Sequence, residues 1–390
     1  MNARQVFTHS LFVIVALALG GCISAGYVAD KIVNAPNGGH PKPASGFLGK
    51  VSRTFYSEQY AIPVGPPPAR LAFAVIEPRN YGFSASAEWK KKPEALVLKW
   101  RIHNTKIDLQ KGLSGAEAAR YLQHMLQEAI PKLPICRATG TVILLPGWGE
   151  RKETLLGYAL DFANHGYRVI LVDLRGQGES SGKYVTYGLI EHRDIIQLIS
   201  ALYARKLAVG RLALVGFSEG ATIALDTAAN DVRVDAVVAV APFVDLKTAI
   251  RGVGHDFMPA LSKMVGLQKL DKALGIADKK TGMTLADANP DSRVANIRAP
   301  VLYVAGGKDD ISPPVAVEAL AAKTPHARFV EVPGYPHTGL YFGVAAVGPP
   351  TLDALARGLG SSPDTACLQA PLPQNVRYDF DATITITKRK

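Results

Sequence analysis

The sequence predicts an α/β protein whose central sheet is mostly parallel and is covered by helices on both faces. From Thr141 onward, short runs of apolar and β-branched residues alternate with amphipathic stretches at helical spacing. This alternation implies crossover connections between parallel strands that are buried on both faces. A chain of 390 residues that is 48% apolar and 20% charged is long enough for one large domain with additional segments.

The predicted elements of the main domain lie between residues 142 and 332. Strands are predicted at 142–145, 167–172, 212–215, 236–240, 301–304 and 329–332. Helices are predicted at 153–165, 187–204, 219–230 and 313–323. We therefore assign residues 138–360 to one α/β domain.

The segment 246–295 lies between two core strands and is longer than a simple crossover. Its apolar residues recur at helical spacing, which predicts a small helical cap insertion. In the tail, residues 361–390, apolar and polar residues alternate over 378–387. That period of two predicts a half-buried strand, paired with the N-terminal region.

Residues 50–137 form an N-terminal extension ahead of the main domain. Strand-like runs occur at 70–76 and 95–102, and a helix is predicted at 116–128. We interpret the two strands as an antiparallel hairpin that extends the central sheet.

The first residues have the pattern of an export signal. Arg4 precedes an apolar run at 11–19 that is too short to span a bilayer but suits the core of a signal peptide. Residues 19–22 (LGGC) resemble the lipobox of bacterial lipoproteins. The resemblance implies a signal peptide at 1–21 and a membrane anchor of fatty acid such as palmitate at Cys22; an uncleaved anchor or an ordinary signal peptide is the alternative.

The residues around this cysteine also bear on location. Ile23 stands where an aspartate would retain such a lipoprotein in the inner membrane, so the resemblance implies the cell envelope, at the outer membrane facing the periplasm. Residues 22–49, which contain several prolines and glycines, are predicted to be a flexible tether.

Composition excludes several other classes of function. The formal net charge of +11 comes from scattered basic residues, so we expect no nucleic-acid partner. HExxH, Walker A and GxGxxG motifs do not occur, and the three cysteines lack the paired spacing of a zinc site. We therefore expect neither a metal nor a cofactor.

The two cysteines that remain after lipidation are Cys136 and Cys367. In a chain exported to an oxidising compartment an even number of thiols favours pairing. We predict a disulfide between them; the alternative is two buried and inert thiols.

Ser218, at the centre of residues 216–220 (GFSEG), is the predicted nucleophile. The pentad directly follows a predicted strand and opens a predicted helix. Such a turn forces the serine into a strained conformation that exposes its hydroxyl, and the flanking glycines let the two backbones pass closely. Because a serine hydroxyl is a poor nucleophile on its own, Ser218 needs a base elsewhere in the chain.

The loops after two later strands supply the base and its partner. Asp309 follows the strand predicted at 301–304, and His337 follows the strand at 329–332. An imidazole accepts the serine proton near neutral pH, and a carboxylate orients the ring. The sequence thus predicts a catalytic triad of Ser218, Asp309 and His337, in a chain order known for such triads.

Both partners have rivals in the sequence. Asp310 adjoins Asp309, and Asp245 follows an earlier strand. His326 precedes the last strand, and His165 ends a helix, where a histidine is usually a cap.

Residues 145–149 (LPGWG) follow the first core strand and form a glycine-rich turn. Acyl transfer needs backbone N–H groups that receive the negative oxygen of the tetrahedral intermediate. The N–H groups of Trp148 and Glu219 are the predicted pair. The alternative is a tight turn in which Trp148 only walls the pocket.

Five segments together resemble the α/β-hydrolase superfamily, nearest to its serine aminopeptidase-like and esterase-like branches. They are residues 145–149, 173–180, 216–220, 307–309 and 334–337. The resemblance covers about residues 138–360, and it departs from the family pattern at Pro146, where a histidine is common.

This resemblance implies the α/β-hydrolase fold and a serine hydrolase that cleaves an ester, a thioester or a small amide through an acyl-enzyme. A carboxylesterase or a lipase is expected first, and an aminopeptidase or a thioesterase is the alternative. A different class of function is a binding lipoprotein that keeps the fold without catalysis. The expected partners are a small-molecule substrate and, through Cys22, a membrane.

Overall fold

The computed structural model describes residues 23–91, 94–103, 115–257, 259, 262, 265–360, 363–370 and 379–387. The strands of the described chain are β1 (Glu58–Val64), β2 (Ala69–Ile76), β3 (Phe83–Lys91), β4 (Glu94–His103), β5 (Gly140–Leu145), β6 (Tyr167–Val172), β7 (Leu212–Phe217), β8 (Ala236–Val240), β9 (Val301–Gly306), β10 (Ala327–Val332) and β11 (Asp379–Thr387). The helices are α1 (Ala25–Val33), α2 (Phe47–Ser52), α3 (Gly115–Ala129), α4 (Leu156–Asn164), α5 (Glu191–Ala204), α6 (Glu219–Asn230), α7 (Leu246–Phe257), α8 (Leu267–Thr281), α9 (Pro314–Ala322), α10 (His337–Leu340), α11 (Val344–Leu359) and α12 (Thr365–Leu368).

The main sheet has eight strands in the order β1-β2-β6-β5-β7-β8-β9-β10. The strands from β5 to β10 run parallel, whereas β1 and β2 join the sheet in antiparallel fashion. Val142 and Leu144 pack under α4 and α11, while Ile143 and Leu145 pack under α5, α6 and α9. Because both faces are buried, β5 is apolar at successive positions instead of alternating, which is why the sequence predicts a parallel sheet.

A second, three-stranded antiparallel sheet has the order β11-β4-β3. The tail strand β11 therefore pairs with the N-terminal extension, as the sequence predicts. The predicted hairpin of residues 70–76 and 95–102 is wrong, because β2 pairs with β1 and β6 in the main sheet while β4 pairs with β3 and β11. A strand-like sequence does not specify which strand it pairs with. Only two residues separate β3 from β4, so pairing these two strands costs little loop-closure entropy.

The helix α1 packs against α8, in a region where the sequence predicted a flexible tether over residues 22–49. Asp30 forms an ion pair with Lys280, and the Asn37 amide donates hydrogen bonds to the carbonyl oxygens of Gly178 (3.1 Å) and Ser180 (2.6 Å). The tether prediction is wrong for this part of the chain. The prediction rests on the prolines and glycines of residues 22–49, all but one of which lie after residue 34. The residues of α1 instead have a buried apolar stripe at helical spacing: Val28, Ala29, Ile32 and Val33.

The cap insertion, residues 246–295, contains α7 and α8 followed by short 3₁₀ turns. Its apolar residues and those of α1 form one buried cluster with Phe243 and Ile311. Phe243 and Ile311 lie in the loops after β8 and β9, so the cap covers the carboxyl ends of the strands, where sites in parallel sheets occur. Within the described ranges, no helix combines the length and apolarity needed to cross a bilayer.

Cys136 and Cys367 form the predicted disulfide, with a Cα–Cα distance of 5.7 Å. The bridge joins the segment just before β5 to α12, and the two cysteines are 231 residues apart in sequence. It therefore fastens the tail to the main domain.

We expect the double replacement Cys136→Ser with Cys367→Ser to lower the free energy of unfolding. The chain-entropy model assigns a loop of this length a stabilisation of up to about 5 kcal/mol, since the bridge restricts the unfolded chain. Denaturant titration should show the loss, and a reductant should destabilise the wild type but not the double variant. Peptide mapping without reductant should yield a cross-linked Cys136–Cys367 peptide; two alkylatable thiols would contradict the bridge.

Candidate active site

Ser218 occupies a sharp turn between β7 and α6, with φ 53° and ψ −116°. This positive φ is strained for any residue with a side chain. Two glycines make the turn feasible: a Cβ on Gly216 would lie 2.1 Å from the Gly220 carbonyl oxygen, and one on Gly220 would lie 2.2 Å from that of Leu145. The serine is held there by its own N–H, which donates to the Val240 carbonyl at 2.8 Å.

Asp309 and His337 form a buried pair. One carboxylate oxygen of Asp309 lies 2.7 Å from Nδ1 of His337. Asp309 is 2% exposed to solvent and His337 is 6% exposed. The other oxygen accepts the backbone N–H groups of Ile311 (2.9 Å) and Ser312 (2.7 Å). Because a carboxylate only accepts, Nδ1 carries the proton and Nε2 is left to accept one from a nucleophile.

The loops that carry this pair are fastened to each other. They follow the adjacent parallel strands β9 and β10. The N–H of Gly307 donates to Val332, and the N–H of Lys308 donates to Tyr335, each at 3.0 Å. The position of the imidazole relative to the carboxylate is therefore fixed by backbone as well as by side chain.

The rival residues have other places in the structure. Asp310 is exposed, and Asp245 accepts a backbone N–H at the start of α7 as a helix cap. His326 is exposed in a turn, and His165 caps the end of α4. Asp309 is thus the acid that contacts His337.

Tyr341 lies between the serine and the histidine. Its ring centroid is 6.1 Å from that of His337 and 5.6 Å from that of Phe217, and its hydroxyl and Cβ of Ser218 both lie beside Gly147. In the described part of the chain no hydrogen bond joins Ser218 to His337, so the serine hydroxyl has to turn toward Nε2 for proton transfer. Tyr341 was not among the residues predicted from sequence; its place one helical turn after His337 is the signal that could have found it.

The backbone N–H groups of Trp148 and Glu219 are free to receive an oxyanion. Neither donates to another residue in the described ranges, and Glu219 begins α6, where first-turn N–H groups have no helical partner. Burial, and then the nearby Glu191 carboxylate, raise the pKa of the Glu219 side chain well above its usual value. The side chain next to the nucleophile accepts a hydrogen bond from Gln177 at 2.9 Å.

A cavity of about 120 Å³ opens above Ser218. Both α1 and the cap supply apolar walls: Val28, Ile32, Leu246, Ile250, Val253 and Leu270. The Trp148 side chain also lines the cavity, so this residue walls the pocket in addition to offering its N–H. The sequence predicts a tether over residues 22–49 and therefore gives no sign that α1 lines the pocket.

The sequence also predicts a lipidation site and the absence of a metal site. Cys22, the predicted lipidation site, lies outside the described residues. Within the described ranges, no group of three or more His, Cys, Asp or Glu side chains is arranged to hold a metal ion.

Comparison with known proteins gives related sequences over the central part of the chain. Residues 137–285 match the family model described as serine aminopeptidase, S33. An uncharacterized protein of Mycobacterium tuberculosis is 31% identical over 175 residues, which are 44% of this chain and 53% of that protein. The quorum-quenching protein AidA of Acinetobacter baumannii is 28% identical over 214 residues, 50% of this chain and 62% of AidA. The chain spans little more than half the length of these curated relatives.

Solved structures with a similar arrangement include two esterases. One, from Pyrococcus furiosus, is 18% identical with a TM-score of 0.46, and the match covers 72% of this chain and 92% of the esterase chain. The other, from Thermogutta terrifontis, is 16% identical with a TM-score of 0.46 and covers 78% of this chain and 100% of its own. The strand order of its main sheet and the serine turn after β7 give the chain an α/β-hydrolase fold, and residues 137–285 match a hydrolase family model.

Proposed function

We propose that the chain is a serine ester hydrolase that works through an acyl-enzyme, with Ser218 as nucleophile, His337 as base and Asp309 as the residue that orients the imidazole. One observation carries the proposal. The strained serine lines an apolar pocket, the Asp309–His337 pair is buried, and Tyr341 packs against the ring of His337.

The geometry supports the following steps. The Ser218 hydroxyl gives its proton to Nε2 of His337 as its oxygen attacks the ester carbonyl carbon. The resulting oxyanion accepts hydrogen bonds from the N–H groups of Trp148 and Glu219. The ester C–O bond then breaks, and the imidazolium returns the proton to the departing alkoxide. Water repeats the sequence on the acyl-enzyme and releases the acid.

The charges of the pocket favour an ester over an aminopeptidase substrate. Among the described lining residues, Lys31 and Arg251 are cationic, and the only acidic side chain is Glu219, whose pKa is raised by burial. The α-ammonium group of a peptide would find no anionic partner there and would be repelled by the two cations. A thioesterase uses the same acyl chemistry and is the second candidate.

The size of the pocket favours a carboxylesterase over a lipase. A cavity of roughly 150 Å³ accommodates a guest of the size of benzene. At about 120 Å³, this cavity holds a short acyl group. A binding protein without catalysis is disfavoured, because it would have no use for a backbone strain of about 1 to 3 kcal/mol at Ser218.

We further propose that the protein is a lipoprotein of the cell envelope, anchored at Cys22 to the outer membrane and facing the periplasm. The lipobox-like residues 19–22 support this location, and so does the Cys136–Cys367 bridge, since disulfides persist in oxidising compartments. The full-length wild type, expressed in a Gram-negative bacterium, should partition into the detergent phase on Triton X-114 separation. The Cys22→Ala variant should move to the aqueous phase; equal partitioning of the two would contradict the anchor.

The variant Ser218→Ala should lose about a factor of a million in kcat, because no other group can form the acyl-enzyme. A fluorophosphonate probe should label the wild type and not the variant. Thermal midpoints of the two proteins should agree, which shows that the fold persists. Turnover by Ser218→Ala, or a folded wild type that does not react with the probe, would refute the proposed nucleophile.

The substrate class is tested with p-nitrophenyl esters from acetate to palmitate, run beside acyl thioesters and aminoacyl amides. We expect kcat/KM to be highest for acyl groups of up to about six carbons, in line with the size of the cavity. A maximum at twelve carbons or more would indicate a lipase, and a preference for thioesters or aminoacyl amides would select one of the alternatives.

Two neighbouring aspartates provide a matched pair of variants. Asp309→Asn should lower kcat by about four orders of magnitude, since an amide in place of the carboxylate favours the wrong tautomer of His337. Asp310→Asn, which alters an exposed side chain, should leave kcat within about twofold. Steady-state kinetics of both variants decide the assignment, and the reverse ranking would move the acid to Asp310.

A further inference from the structure

The hydroxyl of Tyr341 lies against the loop that carries Trp148. A Cβ atom placed on Gly147 would lie 1.9 Å from Oη of Tyr341 and 3.2 Å from Cβ of Ser218. Gly147 is not among the glycines with positive φ, so its own backbone conformation does not require a glycine. The space that a side chain would need at position 147 is instead occupied by the phenol.

The ring of Tyr341 has little freedom to move away from this position. It is 8% exposed and packs between Phe217, which precedes the nucleophile, and His337. Its hydroxyl therefore lies beside Gly147, close to Ser218 and to the turn whose N–H would bind the substrate's carbonyl oxygen, while its ring contacts the base. This is the region in which negative charge develops during acyl transfer.

We propose that the Tyr341 hydroxyl is a third donor to the oxyanion, beside the backbone N–H groups of Trp148 and Glu219. The inference rests on the proposed ester hydrolysis. In the resting enzyme the hydroxyl and Cβ of Ser218 lie beside the same glycine, Gly147. When Ser218 turns to His337 and attacks the carbonyl carbon, the tyrosine O–H donates to the new oxyanion and keeps its proton.

The protonation of the phenol is consistent with a donor. Burial, and then the Glu150 carboxylate, raise the pKa of Tyr341 well above its usual value, while the Ser218 contact acts in the opposite direction. The hydroxyl thus remains protonated at neutral and mildly alkaline pH. Because its interaction with the substrate arises only as charge forms on the oxygen, it stabilises the transition state more than the bound substrate.

The variant Tyr341→Phe tests the donor, since it removes the hydroxyl and keeps the packed ring. We expect kcat for a short-chain ester to fall about 10- to 100-fold with KM nearly unchanged. The affinity for a trifluoromethyl ketone that carries the same acyl group should fall by a similar factor, because the ketone forms a tetrahedral oxyanion on Ser218. Tyr335→Phe is the matched control: its buried hydroxyl has no hydrogen-bond partner among the described residues, and both quantities should stay within about twofold.

A second variant tests the same hydroxyl by steric displacement. Gly147→Ala should displace the phenol and reduce kcat in the wild-type background. In the Tyr341→Phe background the same alanine should cost several-fold less, since the hydroxyl that it would strike is gone. Full additivity of the two changes would count against the assignment.

Labelling by a fluorophosphonate separates this inference from the proposed function. A folded wild type that neither reacts nor turns over an ester overturns both. A reactive wild type together with a Tyr341→Phe variant of unchanged kcat and ketone affinity overturns the donor alone. A loss of kcat without a matching loss of ketone affinity would make Tyr341 a positioning residue for Ser218 and would also overturn the donor.

Discussion

The backbone conformation of Ser218 is the constraint on which the rest of the site depends. A φ of 53° is costly, and it persists because Gly216 and Gly220 allow β7, α6 and β5 to approach at distances that a Cβ would forbid. Ser218 and Glu219, which belong to this turn, both line the same cavity. The proposed nucleophile and one proposed oxyanion donor thus lie on one piece of backbone, which packs against the buried parallel sheet.

Features that depend on local sequence were predictable. The runs that became β5, β7, β8 and β9 are short and buried at successive positions, a pattern that indicates a parallel sheet without knowledge of any partner. Ser218 follows β7 directly, Asp309 lies three residues after the end of β9, and His337 lies five residues after the end of β10. Because parallel strands end at the same edge of the sheet, residues just after them lie near one another in space, and the structure shows the Asp309–His337 contact.

Features that depend on distant partners were not predictable in this way. The stripe of α1 is buried only because α8 offers a surface to it, and neither segment alone specifies the other. β2 and β4 both have strand-like sequences but join different sheets, since such a sequence does not specify the neighbouring strand. Tyr341 reaches Ser218 because the short helix α10 turns its ring back over Phe217, a direction that no motif of the sequence records.

The bridge between Cys136 and Cys367 also determines how the molecule would carry mechanical load. A pull applied at Ile23 and Thr387 would pass across the disulfide and bypass the 231-residue loop that it closes. That loop contains β5 to β10 and every residue assigned a part in catalysis, so they would bear no tension along the chain. The antiparallel strands β1 and β2 lie outside the loop, on a part of the chain that would carry the load. With the disulfide formed, the force would bypass the residues between Cys136 and Cys367; with the disulfide reduced, the same force would act on them.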